Sequence, residues 1–354
     1  MTIKEIAKLA NVSLGTVDRV IHKRGKVSKE TEKKILDIID KVNYTPNIYA
    51  RGLVLNKQYR IKALLPEFRQ GQYWEMPVKG MQNAATNLSQ FGIQLEVLYF
   101  DQNSVTSFNS AAKQLLSYKP DGVILAPVIN FEAVKLSKKL KDAQIPYVLI
   151  DSLIQNSEPL SFIGQDAFQS GRLAAKLLCT EINLKGSISI ISIKNNENYN
   201  STLQQRIEGF KDYIANSDFI DQISLNESHI HVGSPDMPMA IENAIGTKEN
   251  VDGVFVPSSM IHHVAAYVDR YRQRFPNLKM IGNDLIPNNI RHLEKGTIHY
   301  LIGQRPENQG YYALSSFYKH LVLGQRVAED IYLPLDIITQ ENLKYYNNNF
   351  QYNF

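Results

Sequence analysis

Near the start of the chain, apolar residues recur at helical spacing in three short bursts. Ile3, Ile6, Ala7 and Ala10 share one face, and Thr2 and Glu5 stand at capping-box spacing around its beginning. The stretch Ala10-Asn11-Val12-Ser13 interrupts the period with turn and N-cap residues, after which Val17, Val20 and Ile21 mark the inward side of a second helix. Ser28 caps a third helix, whose stripe of Ile35, Leu36, Ile38, Ile39 and Val42 packs against the first two. Two short helices joined by a tight turn make a helix-turn-helix, with the second helix available to a major groove.

Pro46 ends this head, so residues 1–46 are one unit and 47–58 a linker. From Tyr59 the pattern alternates short apolar runs with helix-length amphipathic segments. The strand candidates are 61–65, 95–99, 122–125, 147–150, 188–192, 253–256 and 279–282; the helix candidates include 78–91, 108–118, 131–143, 171–179, 204–214 and 261–271. This order predicts parallel sheets covered by helices, with ligand sites at the carboxyl ends of the strands. About 290 residues are too many for one core, so two lobes with a cleft are expected.

Charge sharpens the division. Residues 1 to 60 hold 13 Lys or Arg against 6 Asp or Glu, a net of +7, so the remainder carries −3 of the overall +4. A basic head suits a polyanion, because neutralised phosphates release counterions, and it equally suits a solvated helix surface. On the second helix Leu14, Gly15, Thr16, Asp18, Arg19 and His22 point outward, with Lys23, Arg24 and Lys26 just beyond. Arg19 can form a bidentate pair with guanine and the lysines can hold phosphates; Asp18 can accept from cytosine or orient Arg19 within the protein.

Several chemistries find no support. The sequence has no G-x-G-x-x-G, P-loop, G-x-S-x-G or H-E-x-x-H motif, so no catalytic residue, metal ligand or cofactor is assigned. Adjacent His262 and His263 project at different azimuths of a helix, and Cys179, the single cysteine, sits in an apolar helix. With one cysteine there is no internal disulfide. No apolar run approaches the ~18 residues of a membrane span and the first residues are charged, which predicts a cytoplasmic protein.

The head resembles the LacI family of bacterial transcription regulators. The likeness runs through Thr2-Ile3-Lys4-Glu5-Ile6-Ala7, Val12-Ser13, Thr16-Val17, Arg19-Val20, Val27-Ser28, Thr31, Tyr44-Thr45-Pro46-Asn47, Ala50 and Leu53. It implies DNA contacts from Thr2, Ser13, Leu14, Gly15, Thr16, Asp18, Arg19, His22 and Lys26. It also implies a hinge helix at 47–58 using Asn47, Ala50 and Leu53, with Leu53 as a minor-groove wedge. Gly15 and Asp18 depart from the family's usual residues, so its operator preferences do not carry over.

The body is similar to sugar-binding proteins of the ribose-binding type, the fold of LacI-family effector domains. Its likeness lies in Gly122 to Pro127, Ile145 to Asp151, Gly164-Gln165-Asp166, Arg206 with Gly209-Phe210, Gly282-Asn283-Asp284 and Gly303-Gln304-Arg305-Pro306. This implies an α/β body of two lobes that exchange the chain near Asp151 and Gln304, one holding 59–151 and 305–333, the other 152–304 and 334–354. A sugar needs flat apolar faces and paired hydrogen-bonding groups. By the resemblance Tyr73 and Trp74 stack, Arg206, Asp284 and Asp151 clamp hydroxyls, and Gln304 sits by the crossing. Ser258 replaces the usual asparagine, and Asn130 stands beside Ile129, where an aspartate is usual. The implied protein is a homodimeric regulator of operator DNA controlled by a sugar, sugar derivative or cyclitol. The rivals are a sugar receptor without gene regulation and a sugar-acting enzyme.

Overall fold

The computed structural model describes residues 3–21, 25, 27–42, 57–194, 201–246 and 251–346. Thr2, His22, Lys26, Asn47, Ala50 and Leu53, and with them almost all of the linker, lie outside these residues. The head consists of α1 (Ile3–Ala10), α2 (Leu14–Ile21) and α3 (Lys29–Lys41). Asn11 takes a left-handed φ of 52°, and the N–H groups of Asn11 and Val12 return to the carbonyls of Lys8 and Ala7, which closes α1 as a Schellman motif. Ser13 Oγ accepts from the Thr16 N–H at 3.2 Å and so starts α2 three residues later. Ser28 caps α3 in the same way. Ile6, Ala7, Ala10, Val17, Val20 and Ile35 form the core of the head. The expected stripe on α3 is narrower than it looks in sequence: Leu36, one residue and ~100° past Ile35, is 44% exposed.

The body follows as β1 (Tyr59–Pro66), α4 (Glu75–Leu88), β2 (Ile93–Phe100), α5 (Val105–Ser117), β3 (Gly122–Leu125), α6 (Asn130–Asp142), β4 (Tyr147–Ile150), β5 (Ser161–Gly164), α7 (Ala167–Glu181), β6 (Gly186–Lys194) and α8 (Ser201–Ala215). It continues with β7 (Ile223–His231), α9 (Met237–Ile245), β8 (Gly253–Val256), α10 (Ile261–Arg270), β9 (Lys279–Asn283), α11 (Pro287–Glu294), β10 (Tyr300–Gly303), α12 (Pro306–Phe317), β11 (Asp330–Tyr332), β12 (Asp336–Ile338) and α13 (Leu343–Tyr346). One sheet has the order β11-β5-β4-β3-β1-β2, the other β12-β10-β9-β8-β6-β7. All described pairings are parallel except β10 with β12. Strands buried on both faces explain why β3, β4 and β8 read as unbroken apolar runs.

The lobe boundary differs from the sequence expectation. Strand β5 pairs with β4, Leu149 opposite Phe162, so residues 161–164 stay with the first sheet and the first crossing falls at Gln165, not at Asp151. The apolar run Phe162-Ile163 is too short to announce a strand by periodicity. The other crossings lie at Gln304 and between β11 and β12. Two side chains tie all three together. Gln165 Nε2 donates to the carbonyls of Gly303 (2.7 Å) and Pro334 (2.8 Å), and Arg305 forms a two-pronged pair with Asp336 at 2.6 and 2.8 Å.

Each lobe also holds one pair of helices in backbone contact. A Cβ on Gly171 of α7 would stand 1.9 Å from the Arg206 carbonyl oxygen of α8, and one on Gly209 would meet the Phe168 carbonyl at 1.9 Å. Gly80 and Gly310 do the same for α4 and α12. Gly171→Ala is therefore expected to push α8 away, costing about 1–3 kcal/mol or more in stability and displacing Arg206. A thermal melt unchanged from wild type would disprove this close approach.

Candidate functional site

The head presents one candidate nucleic-acid surface. Val17 and Val20 turn one side of α2 into the core, which leaves Ser13, Leu14, Gly15, Asp18 and Arg19 exposed and Thr16 half-buried. Ser13 and Thr16 share a hydroxyl contact of 2.9 Å that fixes the first turn. Leu14 is 47% exposed, an uncommon placement for a leucine that the core does not explain. These six predicted residues thus lie together on α2 and its cap.

The body presents a second site at the carboxyl ends of both sheets. Asp151 follows β4 and Asp284 follows β9, and the two aspartates are alike: each has a left-handed backbone, φ 66° and 73°. Each N–H bonds to the neighbouring strand, Asp151 to the Ile163 carbonyl and Asp284 to that of Ile302. Two non-glycine residues held in this uncommon region at matching strand ends are strain concentrated where function is expected. Asn289 supports one of them, donating to the carbonyls of Asn283 and Asp284.

Between the aspartates lies Arg206 of α8, only 2% exposed. Its Nη1 donates to the Pro257 carbonyl at 2.9 Å, while Nε and Nη2 have no hydrogen-bond partner among the described residues. Buried donors are nearly always satisfied, so an incompletely bonded guanidinium marks a place where a ligand's oxygens fit. Tyr73 donates its hydroxyl to Asp151 Oδ1 at 2.8 Å, and Gln304 donates to Asp284 Oδ1 at 2.5 Å. Trp74 stands edge-on to Tyr73 with ring centroids 5.1 Å apart and is buried. Tyr73, Trp74, Asp151, Arg206, Asp284 and Gln304 are therefore brought together.

Electrostatics binds the cluster into one system. Burial raises the carboxyl of Asp284 to about 6, against the lowering pull of Arg206 and the Gln304 hydrogen bond. Burial also raises Asp151, again opposed by Arg206, and it drives Tyr73 well above the ordinary phenol range, so Tyr73 remains a donor. A carboxyl raised on folding binds more protons in the native state than in the unfolded one between pH ~4 and the folded value. Its contribution to stability is thus present at low pH and lost as pH rises towards about 6. Asp284→Asn removes this dependence, so the melting-temperature advantage of wild type over the variant should shrink from pH 4 to pH 6. A constant difference across that range would refute the assignment.

Two predicted residues stand apart. Ser258 follows Pro257, the Arg206 partner, but its hydroxyl accepts from the Met260 N–H at 3.3 Å and shapes the turn into α10. Asn130 opens α6 with no recorded bond to the cluster, and the preceding Ile129 is packed in the core of the first lobe, where an aspartate would be unpaired. The two histidines differ from expectation: their rings lie together, centroids 4.2 Å apart, and burial lowers His263 to about 4. No group of three metal-binding side chains occurs among the described residues.

Sequence reading missed the supports. Gln309 of α12, fully buried, donates to both the Tyr73 hydroxyl (3.3 Å) and the Gln304 carbonyl (3.2 Å). Ser152 donates to Asp151 Oδ2 and meets the Thr202 hydroxyl at 2.6 Å, a contact from the first lobe to α8 of the second. Nothing in composition flags a serine or a glutamine of this kind. The one available signal was Gln309 at helical spacing from Gln304 and Arg305, polar on an otherwise buried helix.

Comparison with known proteins agrees with both halves. Residues 2–47 match the family described as bacterial regulatory proteins, lacI family, and residues 62–326 match the periplasmic binding protein domain. A ribose operon repressor of Halalkalibacterium halodurans is 27% identical over 288 residues, 81% of each chain. Among solved structures, one described as a LacI transcriptional regulator from Bacteroides fragilis superimposes with a TM-score of 0.76 at 28% identity, covering 82% of this chain and all of the other. GanP, a glucose-galactose binding protein from Geobacillus stearothermophilus, gives 0.71 at 25% identity over 81% of this chain and 99% of its own. No described helix is long and apolar enough to cross a membrane. The helix-turn-helix head and the two-lobed body with its buried polar cluster accordingly place this chain in the lacI family of bacterial regulatory proteins, as a DNA-binding transcriptional regulator.

Proposed function

We propose that the chain is a cytoplasmic, homodimeric repressor without enzymatic activity, whose operator affinity is set by a sugar or sugar-like polyol bound between the lobes. The observation that carries the ligand reading is Arg206, buried with two unbonded N–H positions between two carboxylates and beside Tyr73 and Trp74. A guanidinium fork with flanking carboxylates pairs the donor and acceptor of adjacent hydroxyls, and the aromatic pair covers a sugar's C–H face. The relatives named ribose operon repressor and glucose-galactose binding protein support that ligand class. Two copies of the head on successive half-sites of a pseudopalindrome fit a twofold regulator. On the DNA side Ser13, Leu14, Gly15, Thr16, Asp18 and Arg19 read or position, assisted by Thr2, His22, Lys26 and the hinge residues Asn47, Ala50 and Leu53. The body residues are Tyr73, Trp74, Asp151, Arg206, Asp284 and Gln304, with Ser258 and Asn130 at the margin.

The test has two arms. Full-length chain selects its operator from random duplexes, and a thermal-shift screen of sugars, sugar acids and cyclitols finds its effector. A regulator yields a selected sequence whose retention changes with the effector. Sugar binding without sequence selection means a receptor, and conversion of the bound sugar to product means an enzyme.

A further inference from the structure

A cavity of about 240 Å³ lies beside the crossings and draws walls from both lobes. Asp151 and Tyr332 belong to the first lobe, Asp166, Phe168 and Glu208 to the second, and Gln165 to the first crossing. Of the six residues gathered around Arg206, only Asp151 borders this cavity; Tyr73, Trp74, Arg206, Asp284 and Gln304 do not.

Its polar lining is dominated by acceptors. Gln165 is 4% exposed and spends both amide hydrogens on the Gly303 and Pro334 carbonyls, while its Oε1 has no partner among the described residues. Asp166 accepts the Gln169 N–H through Oδ1, and Glu208 accepts from Gln204 through Oε1, which leaves each carboxylate with acceptor capacity. The Asp151 oxygens receive Tyr73 and Ser152 and retain lone pairs as well. No lysine, arginine or histidine is among the lining residues. The aromatic wall is available: Tyr332 is 54% exposed and packs edge-on against Phe162 at 5.9 Å.

Three carboxylates, an unpaired amide oxygen and an exposed aromatic face call for a ligand that is donor-rich, positively charged and partly apolar. An alkylammonium has three donors and no acceptor and is attracted to an aromatic face. A neutral polyol brings oxygen lone pairs that this lining leaves unmatched. We propose that the cavity is a second effector site, for a small organic amine of the diamine class, distinct from the polyol site. Because Gln165 holds the other two crossings through the opposite end of the same amide, an amine on Oε1 acts on the hinge between the lobes.

Calorimetry on the full chain with 1,4-diaminobutane, and with 1,4-butanediol as its neutral isostere, tests this. The diamine is expected to bind saturably at one site per chain and the diol not at all. Glu208→Gln should weaken the diamine at least tenfold. Asp166→Asn should do the same while keeping the helix cap, since asparagine caps as well as aspartate. Tyr332→Ala should weaken it severalfold. Diamine binding of equal strength in the Glu208→Gln, Asp166→Asn double variant would reduce it to diffuse attraction by an acidic surface and overturn the proposal. Binding of the diol with similar affinity would overturn the cation assignment. Neither readout involves operator or sugar, so the result stands apart from the regulatory reading.

Discussion

Arg206→Ala is expected to weaken effector binding by about 100-fold or more, the largest single-residue effect in the body. The guanidinium is the one cation enclosed with Asp151 and Asp284, and two of its three nitrogens are unbonded in the unliganded structure. Its truncation removes charge-assisted hydrogen bonds to the ligand and leaves two buried carboxylates uncompensated. Asp284 should then move further above its present value of about 6, because the group that lowers it is gone. Arg206→Lys keeps the charge but not the planar fork, so its affinity should fall between wild type and Arg206→Ala. Calorimetry with the effector found by screening checks all three proteins. Unchanged affinity in Arg206→Ala would move the ligand site elsewhere.

The same residue shows how far a sequence can be read. Helices and buried parallel strands of the body are legible because their apolar runs have a period, and the head because its caps and turn use the few residues that geometry permits. What escapes is short or polar. Strand β5 is four residues long, so the crossing seemed to lie at Asp151, and the register between Leu149 and Phe162 is needed to move it to Gln165. Arg206 and Asp284 could be assigned only through resemblance, since neither burial nor the left-handed turn after β9 is written in local periodicity. Gln165, Ser152, Thr202 and Gln309 do their work through partners more than 40 residues away, or through one buried amide spanning several elements. Such contacts have no local signature. Asn130 fails for the converse reason: neighbouring a familiar position in sequence does not give a side chain the same direction in space.

Sugar and operator are expected to be coupled, each weakening the other by the same factor, of order 5- to 150-fold at typical couplings of about 1–3 kcal/mol. Coupling requires two states of the body that both ligands distinguish, and the lobe junction supplies the movable part. Arg206, Asp284 and Thr202 belong to one lobe and Tyr73, Asp151 and Ser152 to the other, so a ligand spanning them favours the lobes together. The ties at Gln165 and Arg305 keep all three crossings moving as a unit, which turns a local closure into a change of angle between lobes. Thr202→Val breaks the hydroxyl contact with Ser152 at 2.6 Å without touching Arg206. It should therefore lower sugar affinity severalfold by destabilising the closed state, and should lower the coupling in the same direction. Titrations of sugar with and without operator, matched by titrations of operator with and without sugar, measure the factor twice. Equal affinities in both arms would mean that the body senses the sugar without informing the head, and unequal factors would mean that the two measurements do not describe one equilibrium.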